Sequence, residues 1–480
     1  MKWLFIVNNS SCFPEFFAKL AEQAIEQGDE CLIAMNSKII EFTKKKIFSD
    51  KAKFISRVDW CVKNYKPGQK EFGNLSWKEF FPTFDRYKPS GFFGYNNSFN
   101  VISQTYQFFE FLFLQEKPDV IIGEPPAGLF HEIAYNFCKI NNAPYFGLGN
   151  SRFEGRLDIY DSEFTFSKYE KTFKEIRNED ISVKEKKFAQ NFIEKFITHE
   201  SLPSYFNLGM AGNYLTQLSI LKHYIKRIKE AGPFLLRCFF RSKKFKNFDY
   251  ETEIALRYAL TTPWKAEKRK LKILFQKNVF SKISDNDNFF FYPLQGPPEA
   301  STSIWATYYS DQLTTIKNIA FALPFPYKLY VKEHPGCVGL RSGSFYKKLK
   351  ELPNVVLISP RENVGQIVKK SAAVITLTST VGMESALAGK TTYVLGSASY
   401  FFHPACQKIK NFEELKNKMR NDLINKPNID GLEDINCRFI ISCLRNTING
   451  SIILAGQKED TNDYKLIYLE LRNAFRTNLL

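Results

Sequence analysis

The chain has 480 residues and a formal net charge of +17, and it is 44% hydrophobic and 16% aromatic. That length implies two or three domains with room for sizeable cores. The charge selects anionic partners; nucleic acid drops out for want of zinc-finger spacing or an RNP-type aromatic strand, which leaves anionic lipid and small anionic molecules.

Nine cysteines, none in a CxxC pair, read as reduced thiols of a cytoplasmic protein. Five histidines without ligand spacing argue against a structural metal, so neither metal nor cofactor is expected.

Trp3–Val7 reads as a buried strand that turns polar at Asn8, an apolar run too short for a signal peptide. Phe17, Leu20, Ala21, Ala24 and Ile25 have helical spacing, Gly28 is a helix stop, and Cys31–Ala34 is the next strand. This is a Rossmann-like βαβ start without the GxGxxG fingerprint. Residues 36–100 are aromatic and basic with several Gly and Pro; they show no readable element pattern and are expected to contain loops that reach toward an acceptor. A helix at Ile102–Gln115 precedes a strand that delivers Glu124 to its carboxyl end. Helix Leu129–Ile140, strand Pro144–Gly147 and a polar run with Arg152 and Arg156 follow. No stretch approaches the roughly 18 apolar residues of a membrane span.

Residues 167–200 are charged and helical. Residues 218–282 are strongly basic, with IKRIKEAG, FFRSKKFK and WKAEKRKLK. They read either as solvated helix faces or as an attachment to an anionic membrane surface through basic and interleaved aromatic side chains. A second α/β domain starts near Asp287, with strands Asn288–Pro293, Tyr327–Val331, Val355–Ile358, Ala373–Leu377 and Thr392–Leu395 and helix Gln312–Ala322. The tail from Glu413 is helical. The fold class is therefore α/β, divided as 1–285, 286–410 and a helical tail 411–480.

Parallel α/β sheets bind ligands at the carboxyl ends of their strands. Three turns of the second domain lie at that edge. His334-Pro335, flanked by Lys332, follows a strand; proline fixes the backbone, and the imidazole can donate to a phosphate oxygen. Thr378-Ser379-Thr380 opens a helix, whose N–H groups and hydroxyls suit an anion. In that helix Gly382 permits close backbone approach and Glu384 can accept from ribose hydroxyls. Gln295, Glu299 and Ser301 lie in a polar loop suited to a base or sugar, or in a plain structural turn. In the first domain Glu124 is the best-placed carboxylate for a general base, with a helix-capping role as the alternative. Arg152 and Arg156 suit an anionic substrate or ordinary salt bridges.

The order FYPLQGPPEAST, DQLTTIKNIAFALPFPYKLYVKEHPG, LPNVVLISP, AAVITLTSTVGMESALAGKTTYVLG resembles the capsule polysaccharide biosynthesis family, which includes transferases that use CMP-Kdo. The resemblance spans Phe289–Tyr400, with a weaker match from Pro118 to Arg156. It implies a GT-B architecture, two Rossmann-like domains facing across a cleft, with added helices. It also implies a donor nucleotide in the C-terminal domain and an acceptor toward the N-terminal one, where the loops of 36–100 would set acceptor choice. It assigns the donor phosphate to His334, Pro335, Ser379 and Thr380, and matches Glu384 to the acidic residue of a TxGxE segment. It offers no match for the catalytic carboxylate, so Glu124 rests on position alone.

The expected protein is a metal-independent glycosyltransferase, cytoplasmic, either free or peripheral at the inner membrane. Its partners would be a nucleotide sugar and a glycan or glycolipid acceptor. Alternatives are a CDP-alditol phosphate transferase of teichoic-acid type, a nucleotide-sugar 2-epimerase and a non-catalytic capsule-assembly scaffold.

Overall fold

Short apolar runs set the frame of both halves of the chain. In the computed structural model, described for residues 1–8, 12–68, 71–87, 94–160, 166–197, 245, 247–252, 265, 268–269, 279–296, 299–334, 337–425, 427–453 and 460–476, they form two sheets in two compact units. The first unit contains β1 (Lys2–Val7), β2 (Glu30–Met35), β3 (Lys53–Ser56), β4 (Val120–Gly123), β5 (Tyr145–Asn150) and β6 (Arg156–Tyr160). The second contains β7 (Phe289–Pro293), β8 (Lys328–Lys332), β9 (Val355–Ile358), β10 (Val374–Thr376), β11 (Thr392–Val394) and β12 (Cys406–Lys408). The chain then returns to the first unit through β13 (Thr447–Asn449).

The first sheet has the order β13-β6-β5-β4-β1-β2-β3. Strands β1 to β5 pair in parallel, and β6 runs antiparallel to β5 and β13. A strand covered on both faces needs apolar residues at successive positions, and β1 has them. Trp3, Phe5 and Val7 pack with Phe17 and Leu20 of helix Phe13–Glu26 and Leu471 of helix Tyr464–Arg476. Leu4 and Ile6 pack on the other side with Phe108 and Phe109 of helix Tyr95–Phe111 and Ile133 of helix Leu129–Ile140.

The second sheet is all parallel, ordered β12-β11-β10-β7-β8-β9. Phe289 and Phe291 take one face and Phe290 and Tyr292 the other. The rings of Phe289 and Tyr330 stack at 3.9 Å between β7 and β8. Each sheet reverses its strand order beside its first strand, at β1/β4 and at β7/β10. Together the two units are Rossmann-like halves of a GT-B-like α/β fold.

The division of the chain differs from the one expected. Helices Ser167–Glu175 and Val183–Ile197 group with the second unit, because helix Leu432–Arg445 packs on them. Arg445 Nη1 lies 2.9 Å from a Glu179 oxygen, and Phe173 meets Phe439. The tail also splits: Phe412–Asn425 and Leu432–Arg445 stay with the second unit, while β13 and Tyr464–Arg476 join the first. Most of the basic stretch 218–282 lies outside the described residues.

Asp29 fastens this tail to the start of the chain. Its Oδ2 accepts from Trp3 Nε1 at 2.8 Å and Tyr468 Oη at 2.6 Å, while Oδ1 accepts from the Met1 ammonium at 2.8 Å. Burial works to raise its pKa, but those donors outweigh it and the carboxyl is held below its ordinary value. The stability it lends is therefore present above the unfolded value and lost as pH falls through the folded one. Asp29→Ala orphans two buried donors and should lower unfolding free energy by about 2–4 kcal/mol, read by denaturant melts of the full chain. A loss under about 0.5 kcal/mol would show that the tail does not depend on this carboxylate.

Candidate functional site

The carboxyl edge of the second sheet gathers most of the residues singled out from sequence. After β7 the chain enters Gln295, buried and fixed from two sides. Its backbone N–H donates to Gln312 Oε1 and its carbonyl accepts from Gln312 Nε2, both at 3.0 Å. Its side-chain amide reaches across the strand reversal to Thr378, beyond β10, with Nε2 to Oγ1 at 2.8 Å. Thr378 in turn donates to the Ser301 carbonyl at 2.9 Å. Gln295, Ser301 and Thr378 are thus one hydrogen-bonded seam across the β7/β10 reversal. Gln295 Oε1 is buried in that seam and has no hydrogen-bond partner among the described residues.

Glu299 accepts from Ser301 Oγ at 3.1 Å and from the backbone-seeking hydroxyls of Thr302 and Ser303 through its carbonyl, both at 2.9 Å. The residue has exposed surface, yet its carboxyl turns back over Gly296. A methyl at Gly296 would stand 2.8 Å from Cys337 Sγ, so glycine is required there by close approach. Partial desolvation raises the Glu299 pKa above its ordinary value, against the pull of Ser301 and Arg341.

After β10, Ser379 caps helix Thr380–Leu387: its Oγ accepts from Val381 N at 3.3 Å. Its own N–H donates to Thr376 Oγ1 at 3.1 Å, and Gly382 N–H donates to the Ser379 carbonyl at 2.9 Å. Part of the helix-start donor set is therefore engaged within the turn. The group that Gly382 admits is the ring of Tyr400, whose hydroxyl donates to the Ser379 carbonyl. A methyl at Gly382 would stand 2.7 Å from two ring carbons. Close approach is real at this glycine, and a tyrosine takes the space. Glu384 is buried one turn further on.

At the end of β8, Lys332 is buried and its Nζ donates to the Pro360 carbonyl at 3.1 Å. Burial lowers its pKa to about 8, against the pull of Glu333, Glu362 and Glu384. His334 is half-buried, with Nδ1 3.6 Å from Cys337 Sγ. Burial, with the charges of Lys332 and Arg341, holds its pKa below the ordinary value against the pull of Glu333. Pro335 lies outside the described residues.

The group that holds this edge in place was not singled out from sequence. Glu333 and Arg341 form an ion pair at 2.6 Å with side chains 0% and 5% exposed. The second Arg341 nitrogen donates to the Gln295 carbonyl, and its guanidinium lies 5.3 Å from the Phe345 ring centre. Glu333 also accepts from His334 N–H at 2.8 Å and Tyr346 Oη at 2.6 Å. The sequence signal was present, a charged residue following an apolar strand, but its partner lies eight residues on in a turn with no pattern.

In the first unit Glu124 sits half-buried at the end of β4, on the β1/β4 reversal, and its carbonyl accepts from Tyr145 Oη at 2.7 Å. Arg152 is half-buried in the turn after β5. The Arg156 guanidinium is committed to β13, donating to Thr447 Oγ1 and carbonyl at 2.9 Å and to Asn449 Oδ1 at 2.6 Å. Among the described residues no group of three or more His, Cys, Asp or Glu is placed to hold a metal ion, and no helix is long and apolar enough to cross a membrane.

Two Rossmann-like units, the second with a polar seam across its strand reversal, define a GT-B-like α/β protein. Residues 236–421 match the family model described as capsule polysaccharide biosynthesis protein. No curated protein matches the chain. Among solved structures it is similar to the beta Kdo 2,4 transferase of Thermosulfurimonas dismutans KpsC, at 13% identity over 72% of this chain and 88% of that one, with a TM-score of 0.38. The beta Kdo 2,7 transferase of the same KpsC matches at 13% identity over 76% and 90%, with a TM-score of 0.36. The UDP-GlcNAc 2-epimerase of Neisseria meningitidis matches at 12% identity over 92% and 98%, with a TM-score of 0.25.

Glu333→Gln leaves Arg341 buried without its counter-charge and should cost about 3–5 kcal/mol of stability. Tyr346→Phe removes one neutral donor and should cost about 1–2 kcal/mol. Denaturant unfolding of both variants checks the order; equal losses would mean that the ion pair is not what fixes this edge.

Proposed function

We propose that this protein is a glycosyltransferase that moves a sugar from a nucleotide-sugar donor, CMP-Kdo or another, to a growing capsule or surface polysaccharide. The observation that carries the reading is the Gln295–Thr378 seam across the β7/β10 reversal, with His334 and the helix start at Ser379 beside it. A parallel sheet offers its ligand site at such a reversal, and a helix start and an imidazole at the same sheet edge suit the phosphate of a nucleotide. The family match supports it, since residues 236–421 include every one of these groups.

In this reading the donor lies at the edge of the second unit. Its phosphate leaves with the electron pair of the broken sugar–oxygen bond, and N–H donors, His334 and Lys332 meet that charge without a metal. Such fixed donors lower a barrier because they need no reorganisation as charge develops. The acceptor is a glycan or glycolipid hydroxyl at the edge of the first unit, where a carboxylate takes its proton; Glu124 is one carboxylate at that edge, and the choice among them is taken up below. Arg152 would contact an anionic acceptor. We place the protein in the cytoplasm, peripheral at the inner membrane, on the strength of its +17 charge.

A thermal-shift screen against CMP, CDP, UDP, GDP and dTDP, with His334→Ala alongside, tests the donor site. A nucleotide at a hundredfold excess over its Kd raises stability by about 2.7 kcal/mol, and the expected result is one such shift, reduced or lost in His334→Ala. CMP would fix a Kdo- or sialic-type donor, CDP the alditol-phosphate transfer, and UDP a hexose donor or the epimerase. No shift with any nucleotide would overturn the reading in favour of a scaffold.

A further inference from the structure

The first unit's sheet has a buried polar node at its own carboxyl edge, built from segments far apart in sequence. Asn36 follows β2 and Arg57 follows β3; both are fully buried. Arg57 Nε donates to Asn36 Oδ1 at 2.6 Å, and Nη2 donates to the Phe248 carbonyl at 2.6 Å. The guanidinium also lies 4.9 Å from the Tyr250 ring centre. Residues 247–252 are thereby plugged into the edge. Asp249 accepts from Lys38 N–H at 3.3 Å, and Gln104 Nε2 donates to the Asn247 carbonyl at 3.2 Å.

That plug carries a carboxyl. Asn36 Nδ2 donates to Glu251 Oε1 at 2.6 Å and to Tyr250 Oη at 2.9 Å. Glu251 Oε2 is enclosed and has no partner among the described residues. The same holds for Oγ1 of Thr252, 3% exposed, and for Oε1 of Gln104, 4% exposed. Buried polar atoms are nearly always hydrogen-bonded, so three orphans around one loop point to a polar ligand that completes them. A hydroxylated ligand supplies both donors and acceptors.

We propose that Glu251, oriented by Asn36, is the catalytic base that takes the proton of an acceptor sugar hydroxyl bound at this edge. The assignment rests on the glycosyltransferase reading above. The hydroxyl oxygen bonds to the anomeric carbon of the nucleotide-linked sugar, the anomeric carbon–oxygen bond to phosphate breaks with its electron pair leaving on the nucleotide, and the hydroxyl proton passes to Glu251 and then to water. Asn36 is a positioning residue. Burial, with the charges of Asp249 and Glu124, raises the Glu251 pKa to about 7, against the hydrogen bond from Asn36 and the charge of Arg57. A base with that value works near neutrality.

Two measurements on the full chain test this. The first is the melting temperature of wild type and Glu251→Gln from pH 5 to 8. A carboxyl raised from its ordinary 4.5 to about 7 lends stability at low pH that is lost as pH rises through about 7. Glu251→Gln should remove that fall, so the variant gains on wild type as pH rises; Glu132, raised to about 8 by burial, is common to both proteins. A constant gap across the range overturns the assignment whatever the donor.

The second is release of nucleotide from CMP-Kdo, UDP-glucose and UDP-GlcNAc, with water in place of the acceptor. Wild type should lose rate as pH falls below about 7, where the base is protonated. Glu251→Gln should be slower by about 10²–10⁴-fold, without that limb and with unchanged nucleotide affinity. Asn36→Ala removes a bond to the charged form and should move the limb to higher pH. If Glu251→Gln keeps rate and limb while Glu124→Gln loses both, the base is Glu124 and this inference falls alone. If wild type splits none of the three and binds no nucleotide, the proposed function falls, and the catalytic assignment falls with it.

Discussion

The Glu333–Arg341 pair is the constraint on which the second unit's edge depends. One carboxylate, with its side chain wholly removed from solvent, accepts from a guanidinium, a tyrosine hydroxyl and the backbone N–H of His334. The guanidinium spends its other arm on the carbonyl of Gln295. The end of β8, the end of β7 and helix Gly343–Lys350 are therefore tied through a single charged node. Burying such a pair gains little net stability against a well-packed apolar substitute. Its value is geometric, because each donor fixes a direction and removing one leaves a charge unpaired. His334 inherits its placement from this node, since its own backbone is one of the ligands.

The first unit uses the same device with different chemistry. Arg57 is fully buried, yet its donors go to a carbonyl, an amide oxygen and an aromatic face rather than a carboxylate. The positive charge is left to act on its surroundings, and it pulls on Glu251 against the push of Asp249 and Glu124. The contrast between the units follows. In the second a buried guanidinium meets a buried carboxylate directly, and the two charges act on His334 in opposite directions. In the first the guanidinium meets no carboxylate in a direct bond among the described residues, and Glu251, which feels its charge, cannot ionise at its ordinary pH.

Which parts were legible in the sequence follows from what each part depends on. Helices Leu129–Ile140 and Gln312–Ala322 and strand Val355–Ile358 match their expected bounds, because unbroken apolar runs and helical spacing are local properties. Gln295, His334 and the Ser379 turn were readable for the same reason: each directly follows a strand. Strands β6, β12 and β13 escaped notice, being short, at sheet margins and only partly buried, with no apolar run to betray them. Residues 36–100 gave no element pattern beyond an expectation of loops, yet they hold β3, helices Lys38–Lys44, Arg57–Asn64 and Trp77–Tyr87, the last interrupted in pattern by Pro82, and the start of Tyr95–Phe111. The nodes themselves were invisible. Arg57 and Glu251 are joined through Asn36 across 194 positions of chain (251 − 57), and no periodicity records such a meeting.

Glycine shows how a correct local inference can carry the wrong agent. Gly382 invites a close neighbour, and from sequence the natural neighbour is a phosphate. The structure fills that space with Tyr400, which reaches back from the loop after β11 to the Ser379 carbonyl. The face of Gly382 is therefore taken by a side chain of this protein. The same step explains why Gln295 carries more of the site than its place in a turn suggests. It follows β7 and its side chain reaches Thr378 beyond β10, with its backbone held by Gln312 and Arg341 and its amide oxygen without a partner among the described residues.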